Sequence, residues 1–148
     1  MRKLVLALAL LPMPLMAQDL AIAPVKMLDT SREARDQQSD HDRRLALMEG
    51  ILADELSGTL VSREEISAAC PRETTECLVA ALRERGAERG LFIVVQKAST
   101  LILQAFASLV DLEGERLVTH TELSFRGDND EAWRKAAHFL AGKLQTKG

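Results

Sequence analysis

The sequence predicts a single small α/β (α+β) domain: a mixed sheet, a C-terminal antiparallel hairpin, and helices packed on the sheet. Three stretches carry that expectation. Residues 91–95 are five apolar side chains in a row, bounded by Gly90 and by Gln96 and Lys97, a run short enough to be a strand buried on both faces and therefore central. Residues 101–111 and 117–126 alternate apolar with polar, and the Asp111-Leu112-Glu113-Gly114-Glu115 link joins them as a hairpin in which Gly114 is free to take positive φ. Beyond them, Trp133, Ala136, Ala137, Leu140, Ala141 and Leu144 repeat at helical spacing, so the chain ends in an amphipathic helix docked on the sheet. About four to five strands and about three helices complete the expected layer.

The earlier elements follow in order. Residues 20–28 alternate loosely and exit through Asp29, Thr30 and Ser31, as a strand followed by a turn. Pro24 brings no ladder donor, so this strand lies at an edge or turns that position away from its neighbour. Residues 31–42 are charged and polar and form a solvated loop, open to contact. Ser39 or Asp40 then caps a helix over residues 41–57 that places Leu45, Met48, Leu52 and Leu56 on one face, and Gly58 stops it. Residues 59–62 are at most a short strand, residues 63–66 a helical turn. A second long helix carries Leu78, Ala81 and Leu82 and closes on Arg83, Arg85 and Gly86, basic side chains suited to the negative end of a helix. Asp128 is the expected cap of the final helix, with Glu131 completing a capping box.

Composition narrows the functional classes. The 148 residues show no shift that would mark a second folded domain. Aromatic residues make up only 3%, with no tyrosine, which argues against a stacking platform for single-stranded nucleic acid. The formal charge of −3 gives no electrostatic pull towards nucleic acid or an anionic membrane.

The N-terminus reads as an export signal over residues 1–17, followed by one domain over residues 18–148. Arg2 and Lys3 precede an unbroken apolar run over residues 4–11, Pro12 and Pro14 end it, and Ala17 permits cleavage ahead of Gln18. The run is well short of the ~20 residues a bilayer span requires, and no cysteine follows it to carry a lipid. A periplasmic protein with no stable membrane anchor after cleavage is expected.

Cys70 and Cys77 agree with that address, since an even, closely spaced pair in an exported chain reads as a disulfide. Seven residues of continuous helix would hold their Cα atoms about 10 Å apart, beyond the roughly 7 Å limit for a bridge. The bond therefore needs the helix to begin near Thr74, after a bend at Pro71-Arg72-Glu73. Free thiols, half a metal site or a redox pair are the alternatives, weakened by the absence of a nearby histidine and of Cys-x-x-Cys spacing.

No catalytic constellation stands out. His41, His120 and His138 are not paired at ligand spacing, there is no nucleophile elbow, and no cofactor is called for. Asp40-His41-Asp42 is a conceivable weak cation site, better explained as a solvated helix start. Arg126, Asp128, Asp130 and Trp133 gather charge and one large aromatic at one end of the sheet. Either Trp133 packs inside while Arg126 neutralises a carboxylate, or the corner is a partner surface together with Asp29, Thr30 and Ser31.

Several stretches resemble the DUF2380/DUF3280 type of exported bacterial proteins of unknown function. The resemblance rests on Leu28-Asp29-Thr30-Ser31, the Cys70 and Cys77 pair, Gly86-Ala87, the run of residues 95–103, and the run of residues 126–134. It spans nearly all the expected mature chain, and the last two stretches are its most specific part. It implies a compact α/β domain similar to the N-terminal domain of TolB, no known catalytic site, and an association with envelope or periplasmic alcohol-oxidation systems. The chain departs from the pattern after Ala87, where Glu88-Arg89-Gly90 stands in place of an aspartate leading into the strand. The expected function is a non-catalytic periplasmic interaction or accessory protein whose partner is another envelope or periplasmic protein. A small-ligand or metal-binding protein is the alternative.

Overall fold

The computed structural model describes residues 19–146, so the expected leader and the boundary at Gln18 lie outside the described residues. Ten elements follow one another: β1 (Leu20–Ile22), β2 (Lys26–Asp29), α1 (Gln38–Leu56), β3 (Thr59–Leu60), α2 (Arg63–Ala69), α3 (Thr75–Glu84), β4 (Arg89–Lys97), β5 (Leu103–Asp111), β6 (Arg116–Phe125) and α4 (Asp130–Gln145). They build one mixed sheet in the order β3-β1-β4-β5-β6, with β2 also paired to β4. β1, β2 and β3 run parallel to their neighbours, whereas β4–β5–β6 is an antiparallel meander.

The α/β layer is the one expected, with six strands and four helices among the described residues. The first strand breaks in two because Ile22 pairs with Leu91 and Lys26 with Val94, so residues 23–25 face only residues 92–93 of β4. One extra residue makes a bulge, and Pro24 with its missing donor sits inside it. The side chain of Glu49 closes the gap by accepting from Val25 N at 2.8 Å, and Arg63 Nη1 donates to Val25 O at 3.1 Å. The bulge also reverses which parity faces inward. Leu20 and Ile22 point towards α1, and beyond the bulge Val25 and Met27 take over. The turn expected at residues 63–66 extends into α2 because Ser62 caps it, accepting from Glu65 N at 3.1 Å.

Strand β4 is central, as expected, and its alternate residues serve two cores. Leu91, Ile93 and Val95 pack with Met48, Leu52, Trp133 and Leu140 under α1 and α4. Phe92 lies against the smaller cluster of Val61, Ile66, Val79 and Leu82 under α2 and α3. Phe92 and Val94 are only half-buried, because α2 and α3 cover just part of that second face. A Cβ on Gly90 would come 2.9 Å from Leu82 and 3.0 Å from Leu112, so glycine lets α3 and the hairpin end close on the strand.

Two local expectations need correction. In the hairpin turn, positive φ falls on Glu115 (50°) and not on Gly114, while Asp111 Oδ1 accepts from the amides of Glu113 and Gly114. Helix α1 starts earlier than either Ser39 or Asp40 would set it; Gln37 occupies the cap position with no side-chain capping bond.

Cys70 and Cys77 form a disulfide with Cα atoms 5.8 Å apart. Cys70 closes α2, and Thr74 caps α3 by accepting from Cys77 N at 3.2 Å. The chain thus bends between the two cysteines, as the distance limit required. No helix among the described residues is long and apolar enough to cross a membrane.

Candidate functional site

Parity decides the site. Lys97 continues the inward set Leu91, Ile93 and Val95 at the end of β4, so its ammonium enters the core and is 0% exposed. A buried cation needs counter-charge and hydrogen bonds to offset its lost hydration. Its Nζ lies 2.8 Å from Asp128 Oδ2, 2.6 Å from Gln37 Oε1 and 3.2 Å from Glu33 Oε2.

Asp128 is the hub. Its carboxylate accepts from Trp133 Nε1 at 2.9 Å and Arg44 Nη1 at 2.9 Å on Oδ1, and stands 3.1 Å from His41 Nε2 on Oδ2. An ionised carboxylate only accepts, so the imidazole donates through Nε2. Arg44 Nε reaches on to Asp130 at 3.1 Å, and Arg43 holds the same carboxylate through two nitrogens at 3.1 and 3.0 Å. His41 and Arg44 get there because they extend the α1 face of Leu45, Met48 and Leu52 by one turn.

The electrostatics are those of a closed, mutually satisfied set. Burial pushes the Asp128 carboxyl up, but donation from Lys97, Trp133 and His41 and the charge of Arg44 outweigh it and hold the group below its usual range. Burial pulls the Lys97 ammonium down, and Asp128 and Glu33 reverse that, leaving it above its usual value. Glu33 drops to about 2 through hydrogen bonds from Thr100, Gln37 and Lys97.

Three loops converge on this cluster. Thr30 donates to Lys97 O through N (2.9 Å) and Oγ1 (3.1 Å), Asp128 N donates to Thr100 O at 2.9 Å, and Gly127 N to Leu101 O at 3.3 Å. Gly127 takes φ +92°, which turns the chain so that Asp128 points inward. At the apex of the β4–β5 loop, Leu101 is 68% exposed and Ile102 50%.

Asp128 and Trp133 are therefore inside, Trp133 edge-on to Phe125 with ring centroids 5.8 Å apart. Asp130 is held by Arg43 and Arg44. Arg126 is exposed and makes no ion pair among the described residues; it lies at the rim of a cleft of about 480 Å³ between β6 and α4, beside Phe125, Lys135 and Phe139. Asp29 and Thr30 are exposed, and Ser31 folds back on Asp29 Oδ1 through N (2.9 Å) and Oγ (2.6 Å). Asp128 is not the cap of α4. Asn129 is, accepting from Ala132 N at 2.9 Å, which moves Glu131 out of the box and into an exposed pair with Lys135 at 2.8 Å.

Asp40, His41 and Asp42 do not converge: Asp40 binds Arg43, His41 turns to Asp128, and Asp42 accepts from Gln38. No group of three His, Cys, Asp or Glu among the described residues is arranged to hold a metal ion. Sequence reasoning missed Lys97, His41, Arg44, Glu33 and Gln37. The signal for the first three was present, since Lys97 shares strand parity with Val95 and His41 and Arg44 share the helical face of Met48.

Residues 18–144 match a family described as DUF3280, protein of unknown function (DUF2380). The chain belongs to that family. No curated protein matches it. Among solved structures, the chain is similar to TolB from Acinetobacter baumannii (TM-score 0.53, 12% identity), covering 88% of this chain and 28% of that one. It is also similar to lipoprotein GNA1162 from Neisseria meningitidis (TM-score 0.52, 13% identity, 87% and 94% covered). A third likeness is to hypothetical protein CT253 from Chlamydia trachomatis (TM-score 0.56, 7% identity, 88% and 98% covered). At these identities the shared property is the fold.

Proposed function

We propose that this protein is a non-catalytic interaction module of the cell envelope, exported to the periplasm, whose partner surface is the apex of the β4–β5 loop with Arg126 beside it. One observation carries the reading: two adjacent aliphatic side chains, Leu101 and Ile102, stand in solvent on a loop whose backbone is tied to a buried ionic cluster. Exposed apolar side chains on a rigidly held loop are the usual form of a protein-contact point, because ordering costs little further entropy on binding. The innermost groups of the cluster, Lys97 and Asp128, are closed to solvent. The cluster's carboxylates and cations neutralise one another, so Lys97, Asp128 and Trp133 act as positioning residues. Arg126, without an ion pair among the described residues, adds a positive charge suited to a carboxylate on the partner. The likeness in fold to lipoprotein GNA1162 supports an envelope setting.

Affinity purification of the tagged chain from envelope extracts tests the proposal. Leu101→Ser with Ile102→Ser is expected to remove the specific co-purifying protein while leaving the circular dichroism spectrum unchanged. Retention of the same protein at the same yield would take this apex out of the interface. Components of periplasmic alcohol oxidation, the association implied by the family resemblance, are the first candidates to probe directly.

A further inference from the structure

The two edges of the sheet differ. β3 is two residues long, whereas β6 is ten and has no neighbour on its outer side among the described residues. A long unpaired edge is a template for another strand. Near it lie Leu117 (61% exposed), Val118 (44%) and, on the adjoining face of α4, Phe139 (47%). We infer that β6 pairs antiparallel with β6 of a second copy of this chain, about a two-fold axis at Thr121.

The choice of occupant and register comes from charge. A two-fold axis perpendicular to the sheet sets each residue opposite one facing the same side, so the axis lies midway between the two copies of one residue. On the side away from α4, the strand presents His120 and Glu122, exposed and 3.4 Å apart, with His120 Nδ1 fixed 2.9 Å from Ser108 Oγ. An axis at His120 would set His120 against itself and Glu122 against Val118. An axis at Glu122 would oppose two carboxylates. An axis at Thr121 sets His120 against Glu122 of the second copy, and Glu122 against its His120, a closed square of complementary groups. On the α4 side the same register stacks Thr121 on Thr121 and Leu123 on Thr119. It also brings the two α4 helices together over the cleft lined by Leu123, Phe125 and Phe139.

The pairing is bounded at one end by the irregularity between Leu109 and Val110, where Thr119 and then Leu117 find partners on β5 and Val118 is left over. The regular segment is therefore residues 119–123, short enough for a reversible dimer. Such an interface is isologous and closes on itself, leaving no further free edge on β6. It is independent of the Leu101–Ile102 apex.

Sedimentation equilibrium on the purified chain, paired with single-cysteine cross-linking, tests this. A concentration-dependent dimer is expected, and Thr121→Cys should give a covalent dimer on mild oxidation, the native cysteines being bonded to each other. Thr119→Cys and Leu123→Cys should cross-link only when mixed. Glu122→Lys should weaken association about tenfold, and His120→Glu with Glu122→Lys should restore it by swapping the pair. A chain that stays monomeric at high micromolar concentration overturns the inference. So does a dimer in which Thr119→Cys cross-links with itself, or one that Glu122→Lys leaves unchanged.

Discussion

The two faces of the sheet are fastened by different means. On one, α1 and α4 cover the inward residues of β4 and β5 with a continuous core, and their common end is fixed by the buried charges of Lys97, Arg44 and Asp128. On the other, the short helices α2 and α3 cover only part of the sheet, and the bend between them is fixed by the Cys70–Cys77 bond. A covalent bond acts mainly by limiting the unfolded chain and demands little of its surroundings. A buried ion pair demands that every partner be present, because each charge left alone is costly. The first fastening tolerates an exposed, partly covered face; the second requires a sealed one.

The contrast can be broken from either side. Asp128→Asn removes the one carboxylate shared by Lys97, Arg44 and His41, and a loss of about 3–5 kcal/mol is expected in urea unfolding at neutral pH. A loss under 1 kcal/mol, on the order of a surface pair, would mean the cluster is not a fastening at all. Cys70→Ser with Cys77→Ser should cost less, about 2 kcal/mol, since the closed loop is short. Oxidised wild type and the double variant melting together would remove the bond from the comparison.

The next effect is in pH. Glu33 is held at about 2 against an ordinary 4.5, and Asp128 below its ordinary 3.8. Lowered carboxyls stabilise fully above their unfolded values and lose that contribution as pH falls through the folded ones. Lys97, raised above 10.5, works the other way, stabilising fully below that value and losing its contribution as pH rises past it. Stability should therefore fall as pH drops below about 4.5, and Glu33→Gln should flatten that descent and, by removing one of the two carboxylates that raise Lys97, shrink the alkaline limb as well. An unchanged acid slope in the variant would assign the descent to other carboxylates. Smallest of all, Leu101→Ser with Ile102→Ser should leave stability within about 0.5 kcal/mol of wild type, since both side chains already face water.

Much of this fold was legible in residue order, and the illegible part has a common physical cause. The hairpin, the central strand, the final helix and the bend between the cysteines all follow from local periodicity or from a distance limit. The bulge at residues 23–25 was half visible, in Pro24, but its one-residue offset depends on the register against β4. The ionic cluster was misjudged because charged side chains default to solvent. Lys97 reads as the polar end of a strand although its parity matches Val95, and Asp128 reads as the cap although Asn129 performs that role. Glu33 and Gln37 carry no periodic signal, since a loop brings them to Lys97 only after the sheet has formed. Position along an element says which way a side chain points, whereas residue type says only what the environment must then supply.

Hydrogen exchange on wild type and Asp128→Asn, compared at matched overall stability, probes most directly whether the buried charges hold the three converging loops in place. Protection should fall in residues 29–40, 98–102 and 126–133, with residues 63–85 around the disulfide unchanged. Equal loss across both regions, or none in the three loops, would contradict it.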